Sequence, residues 1–231
     1  MITGLPPEVL QALALSLRVA IWATIVSLPL GLLVAYALAR WSFWGKGLLN
    51  GLVHLPLVLP PVVTGYALLL MLGPNAFVGR WLADSFGIIF AFRWTGAVLA
   101  AGIMAFPLMV RSIRLSIEAV DQGLEQAAAT LGASRLRCFM TITLPMILPG
   151  ILAGTVLTFA KAMGEFGATI TFVASIPGET QTIPSAIYAF LQVPGAEQIV
   201  YWLVIFSASI ALLAVLISEV IARKLAKRLA D

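Results

Sequence analysis

Lys161 and Glu165 stand four residues apart in the otherwise apolar string KAMGEFGATITFVASIPGETQTIPSAIY, followed by Gly167, Thr169 and Thr171. On a helix this spacing puts the two charges on one face, where they can pair. Ionisable groups in apolar stretches are costly and usually face a bundle interior or a water-filled cavity. That is the chemistry of passing a charged solute, with Thr169 and Thr171 as candidate lining. The competing reading is that the two charges neutralise each other near the outer surface, and spacing alone leaves both open. Catalytic equipment is missing from the sequence. The single histidine, His54, sits among leucines and valines, the single cysteine, Cys138, cannot form an internal disulfide, and no GxxxxGK[ST] loop is present to cradle a nucleotide. The chain is therefore expected to be no enzyme, with no catalytic, cofactor-binding or metal-binding residue of its own.

The elements that must hold these groups follow from composition. The 231 residues are 61% hydrophobic and 10% charged, with a mean hydropathy of +1.04, far from the balance of a soluble domain. A bilayer core of roughly 30 Å needs about 20 apolar residues per helix. Uncharged stretches of that order run over 19–39, 47–72, 94–110, 142–160 and 199–218. The segment 166–191 is apolar but broken by Pro177, Gly178, Glu179 and Pro184. The expected fold is all-α and polytopic, one domain over 1–231 with about five transmembrane helices, or six if 166–191 crosses fully. The opening MITGLPPEVLQALALSLR has no basic region and no small-residue cleavage site, so the first helix is expected to stay in the membrane. Its Arg18 is placed to reach the headgroups.

A net charge of +4 would suggest nucleic acid in a soluble protein, but here the positions of the charges matter more than their sum. Arg40 and Lys46 follow the first stretch, Arg111, Arg114, Arg135 and Arg137 lie between the third and fourth, and Arg223, Lys224, Lys227 and Arg228 close the chain. These ends are assigned to the cytoplasm. The connection after the second stretch holds only Arg80, Arg93 and Asp84 among many aromatics and is assigned to the outer interface. The N-terminus is then outside and the C-terminus cytoplasmic. Within the second stretch, HLPLVLPPVVTGYALLL carries Pro56, Pro60 and Pro61, which remove backbone donors and predict a kink or local unwinding. Such a break is tolerated in lipid where protein or a water-filled cavity satisfies the freed carbonyls, which makes Pro60 and Pro61 candidates for a translocation path or gate.

The cytoplasmic connection, placed at 115–145, carries the strongest local signals. Asp121 can cap a helix with Glu125 in its first turn, Gln126 to Ala129 are helix formers, and Gly132 after Leu131 supplies a left-handed stop. A second short helix is expected to start near Ser134. The string QAAATLGASRLRCFMTITLP resembles the loop motif of ABC importer permeases, in which Glu-Ala-Ala is followed by Gly and then by Ile-x-Leu-Pro. Ala127 and Ala128 match the alanines, Gly132 the glycine, Ile142 the isoleucine, and Leu144 and Pro145 the closing pair. Gln126 stands where the family usually has Glu, with Glu125 just before it, leaving open whether Glu125 compensates or the carboxylate is dispensable.

The resemblance implies a type I permease fold in the inner membrane, with this loop as a coupling helix seated on a separate ATPase. It further implies two ATPase copies binding ATP and Mg, a second copy of this chain with the pore between them, and a periplasmic or surface-anchored binding protein. With HLPLVLPPVVTGY and GAVLAAGIMAFPLMVRSIRL, most of the chain is similar to the molybdate branch of that family. Tungstate is a natural companion substrate, and the sulfate and thiosulfate permeases are close relatives. No convergent set of arginines marks an oxyanion site in the sequence, so substrate selection is expected on the binding protein. A gradient-driven transporter would show paired broken helices in matching halves, and the sequence shows no such symmetry.

Overall fold

A computed structural model of the protein describes the backbone of residues 6–230 and the side chains of 6–217, 219 and 220. Residues 1–5, at the head of the string read above as lacking a cleavage signal, and the side chains of Arg223, Lys224, Lys227 and Arg228 lie outside the described residues. In chain order the helices are α1 (Pro7–Arg40), α2 (Lys46–Val58), α3 (Pro61–Leu72), α4 (Phe77–Phe86), α5 (Trp94–Ala119), α6 (Gln122–Thr130), α7 (Arg135–Cys138), α8 (Leu144–Met163), α9 (Gly167–Val173), α10 (Ile183–Phe190) and α11 (Glu197–Ala230). A π-helical turn, Phe139–Thr143, joins α7 to α8.

The centre of the bundle is α1, α5 and α8 packed against one another. In lipid, close helix contact depends on small residues that let backbones approach. The sequence supplies them in Ala20, Ala23, Ala97, Ala100, Ala101 and Ala105, all buried, while Gly31 and Gly154 both face Met109. Four helical runs among the described residues are long and apolar enough to span: α1, α5, the run Arg135–Met163 and Glu197–Ile217 of α11. The remaining expected span, the second in chain order, is a bent pair, α2 and α3, whose axes turn by 115° across Leu59 and Pro60. This break is sharper than a kink, and its cause is local. A residue before proline is driven from helical to extended backbone, and Leu59 (ψ 141°) and Pro60 (ψ 134°) both precede prolines and are extended.

One expectation changes at the membrane boundaries and another gains a helix. The third span, drawn over 94–110 by its lack of charge, belongs to a helix that continues to Ala119, so Arg111, Arg114 and Glu118 ride on its cytoplasmic extension. The outer aromatic connection contains the ten-residue helix α4, none of whose residues is buried, with Phe77, Trp81 and Phe86 exposed as an interfacial helix requires. The irregular segment expected over 166–191 resolves into the short α9 and α10, separated by a non-helical stretch. The first backbone N–H of α10 donates to the Ser16 hydroxyl of α1 at 2.7 Å, which satisfies a helix-end donor that lipid could not.

Candidate functional site

Helix α8 ends at Gly164, and Glu165 joins it to α9. Lys161 Nζ lies 2.8 Å from Glu165 Oε2, while Glu165 Oε1 accepts from the Ala168 backbone N–H at 3.0 Å. One carboxylate thus closes the end of α8 and caps the start of α9. Glu165 is buried, whereas a third of the Lys161 side chain remains open. The lysine is thus the partly accessible member of the pair and the carboxylate the enclosed one.

The break between α2 and α3 meets this junction. A Cβ on Gly167 would lie 2.7 Å from the Pro61 Cβ, and one on Gly65 would lie 2.5 Å from the Ala168 carbonyl oxygen and 2.9 Å from the Thr171 Cβ. Two discontinuous helices are therefore packed start to start, bringing Pro61, Lys161, Glu165, Gly167 and Thr171 into one region, with Pro60 exposed at the bend. Thr169 is buried, and its hydroxyl donates to the carbonyls of Phe166 (2.9 Å) and Glu165 (3.2 Å); the Thr171 hydroxyl donates to Gly167 O at 2.8 Å. Both hydroxyls thus serve their own helix. Sequence reasoning missed Gly65, whose VVTGY context carries no signal of the close approach. It also missed Thr64 and Thr158, whose buried hydroxyls have no hydrogen-bond partner among the described residues. Because the nearest atom facing Gly65 is the backbone carbonyl oxygen of Ala168, Gly65→Ala is expected to cost about 1–3 kcal/mol and lower the thermal midpoint. Gly51→Ala, where a Cβ meets nothing within 4 Å, is expected to leave it unchanged or raised.

On the cytoplasmic side, Asp121 Oδ1 caps α6 by accepting from Gly123 N at 2.8 Å, and Ser134 caps α7. Helix α6 ends in a Schellman turn, with Gly132 N donating to Ala129 O and Ala133 N to Ala128 O, both 3.0 Å. Gly132 has φ +84° and open space where a Cβ would sit. Glu125 turns toward the bundle, and Gln126, about 100° round the helix, is exposed. The Glu125 carboxylate points inward, accepting at one oxygen from Arg40 Nη2 (3.1 Å) and the Thr143 hydroxyl (2.7 Å). Arg40 Nη2 also donates to Val120 O at 3.1 Å, so the end of α1, the end of α5, α6 and the π-helical turn share one node. Gln126 and Ala127 are exposed, beside Leu124, Leu131 and Leu136. Exposed leucines on α6, its C-cap and α7 give this connection an apolar character that its polar neighbours do not share. The sequence reading missed these leucines, which lie in α6, at its C-cap and in α7, and whose signal is large apolar residues within a polar connection. Ile142, Leu144 and Pro145 sit half-buried at the π-helical turn, which forms where Pro145 withholds the N–H that a regular α-turn needs.

A cavity of about 640 Å³ between α1, α2 and α5 is walled by Trp22, Leu30, Val53, Trp94 and Phe106, too apolar to conduct a hydrated anion.

Residues 27–231 match the family of binding-protein-dependent transport system inner membrane components. The chain belongs to that family. Over 213 residues it is 59% identical to the molybdenum transport system permease protein ModB of Escherichia coli (strain K12), spanning 92% of this chain and 93% of that one. It is 36% identical over 210 residues to the sulfate transport system permease protein CysT of Salmonella typhimurium (strain LT2), spanning 90% and 75%. Its fold is similar to a bacterial ABC transporter involved in the import of the acidic polysaccharide alginate, with a TM-score of 0.76, 19% identity and coverage of 95% of this chain and 80% of that one. Family and apolar helices together make this a multi-pass component of the inner membrane.

Proposed function

We propose that this chain is the membrane-spanning permease subunit of an ATP-driven importer that carries molybdate, with tungstate as its near analogue, into the cell by alternating access. The observation that carries the substrate is the 59% identity to a molybdenum permease over almost the whole of both chains. The subunit is no enzyme: ATP and Mg act on a separate ATPase present in two copies, and a second copy of this chain completes the pore. The exposed apolar flank of α11 is suited to lipid or to that second copy. A periplasmic binding protein selects the anion and delivers it to the outer mouth.

In this mechanism the exposed face of α6, with Leu131 and Leu136, seats on the ATPase. Closure of the ATPases on ATP moves α6, and the Arg40, Glu125 and Thr143 node passes that motion to α1 and α8. Helix α8 ends at the Lys161 and Glu165 junction, where the ammonium, fixed by the buried carboxylate, offers a passing dianion a partner of opposite charge. The bend at Pro60 and Pro61 faces the same junction through Gly167 and supplies the gate. Hydrolysis resets the assembly inward.

Gly132→Val tests the coupling role. A β-branched residue at φ +84° costs about 1–2 kcal/mol of local strain with no neighbour to clash. The expected result in vesicles containing the assembled transporter is molybdate uptake falling sharply per ATP hydrolysed, with the thermal midpoint of the subunit little changed. Unchanged uptake per ATP would remove the coupling assignment. A sulfate-type permease is the second reading, favoured by the 36% identity to CysT. Under the main reading excess sulfate leaves uptake of labelled molybdate intact; under the second it competes.

A further inference from the structure

The sequence shows no convergence of anion-binding groups, yet the fold creates one on the far side of the bundle from the Lys161 junction. Asn50 and His54 of α2, with Arg111, Arg114, Leu115 and Glu118 of α5, line a cavity of about 250 Å³ at the cytoplasmic end. Arg114 is held in place, its Nε donating to Glu118 Oε1 at 2.8 Å and its Nη1 to Asn50 Oδ1 at 2.9 Å. His54 Nδ1 lies 2.8 Å from the Asn50 carbonyl oxygen, so that nitrogen carries the proton and the other ring nitrogen is left over. Glu118 contributes a negative charge to the lining, and Arg114 neutralises it. Arg111 is exposed and has no ion-pair or hydrogen-bond partner among the described residues, which makes it the uncompensated charge of the cavity.

The level of the cavity is marked by its surroundings. Trp41, Phe43 and Trp44, in the connection from α1 to α2 at the same end of the bundle, are all exposed, as aromatic side chains are at the headgroup boundary. Leu115 on the lining and Val58, one turn beyond His54 on the same face of α2, are exposed apolar residues that an acyl chain could follow inward. Guanidinium groups match the geometry of a tetrahedral oxyanion, and basic pockets between membrane helices on the cytoplasmic side take anionic head groups.

We infer that the cavity between α2 and α5 binds a tetrahedral oxyanion group at the cytoplasmic headgroup level, supplied by the phosphate of an anionic lipid or by a free oxyanion from the cytoplasm. Bound there, the group accepts from Arg111 and Arg114 of α5 and from the side-chain amide N–H of Asn50 on α2, and so braces α2 against α5 just ahead of the bend at Pro60. The contact is with helix faces, so it requires no change in the Lys161 junction.

The test uses the purified full chain in mixed micelles, with the thermal midpoint followed during titration with phosphatidylglycerol, phosphatidylcholine, sodium molybdate or inorganic phosphate. A lipid occupant is expected to give a saturable rise with phosphatidylglycerol over phosphatidylcholine. Its apparent affinity should fall about fivefold in Arg111→Ala and less in Arg111→Lys. Lys46→Ala removes an equal charge at the same level but outside the cavity, and should leave the response nearly intact. A free-oxyanion occupant instead gives a rise with molybdate or phosphate in phosphatidylcholine micelles, again lost in Arg111→Ala. The inference is overturned if Arg111→Ala and Lys46→Ala weaken the response equally, if Arg111→Ala leaves it unchanged, or if no anion is distinguished from phosphatidylcholine.

Discussion

Glu165→Ala is expected to abolish molybdate uptake and to destabilise the subunit by about 2–3 kcal/mol, read as a lowered thermal midpoint in detergent. Removing one member of a fully buried ion pair costs about 3–5 kcal/mol because the other charge is stranded. Here the cost is smaller because a third of the Lys161 side chain is open and can hydrate. The reverse change, Lys161→Met, is expected to be worse for stability. It leaves a carboxylate that is almost wholly buried with only the Ala168 N–H to satisfy it. The double variant Lys161→Met with Glu165→Gln removes both charges and should recover most of the lost stability. Uptake separates the two readings of the pair: if Lys161 meets the anion, the double variant folds but does not transport. Recovered transport would assign the pair to helix joining alone.

Glu125→Ala is the second large effect. Arg40 has a side chain only 9% exposed, and without Glu125 it keeps the Val120 carbonyl as its acceptor while the Thr143 hydroxyl loses its own. A buried guanidinium left without its carboxylate costs several kcal/mol or pulls the loop out of place to reach water. Either way α6 no longer moves with α1 and α8. In the assembled transporter, ATP hydrolysed per molybdate imported is expected to rise about tenfold, corresponding to loss of about 1.4 kcal/mol of coupling. Gln126→Ala, on the exposed side of the same helix, should instead weaken retention of the ATPase in a pull-down while leaving the subunit's thermal midpoint unchanged. If Glu125→Ala left the ATP-to-molybdate ratio untouched, the inward node would have no part in coupling.

What could be read in the sequence was local. The Asp121 cap, the Gly132 turn and the Ser134 start depend on a few neighbouring residues, and each stands where its chemistry placed it. The proline break followed from the backbone rules for residues before proline, although not the 115° it reaches. Contacts between distant segments were hidden. Gly65 reads as one more small residue until α9 lies against it, and Arg40 and Glu125 are 85 positions apart. The end of α5 was drawn too early because apolar length measures the bilayer, not the helix. Whether Glu125 or Gln126 faces the bundle is a matter of helix rotation, which a motif does not fix.

The run from Arg135 through the π-helical turn to Met163 holds 29 residues without a helical interruption. Its α8 portion is about 30 Å long at 1.5 Å per residue. A tilt of about 5° with its fulcrum at the π-helical turn sweeps the far end through roughly 2.6 Å, on the order of an oxygen atom's diameter. The stroke at the nucleotide side can therefore be small, because the rod magnifies it with distance. In the proposed cycle, amplitude at the Lys161 junction would follow from the length of α8 and the stiffness of its pivot. Shortening that arm or softening the pivot would detune the transporter without altering any group that touches ATP or the anion.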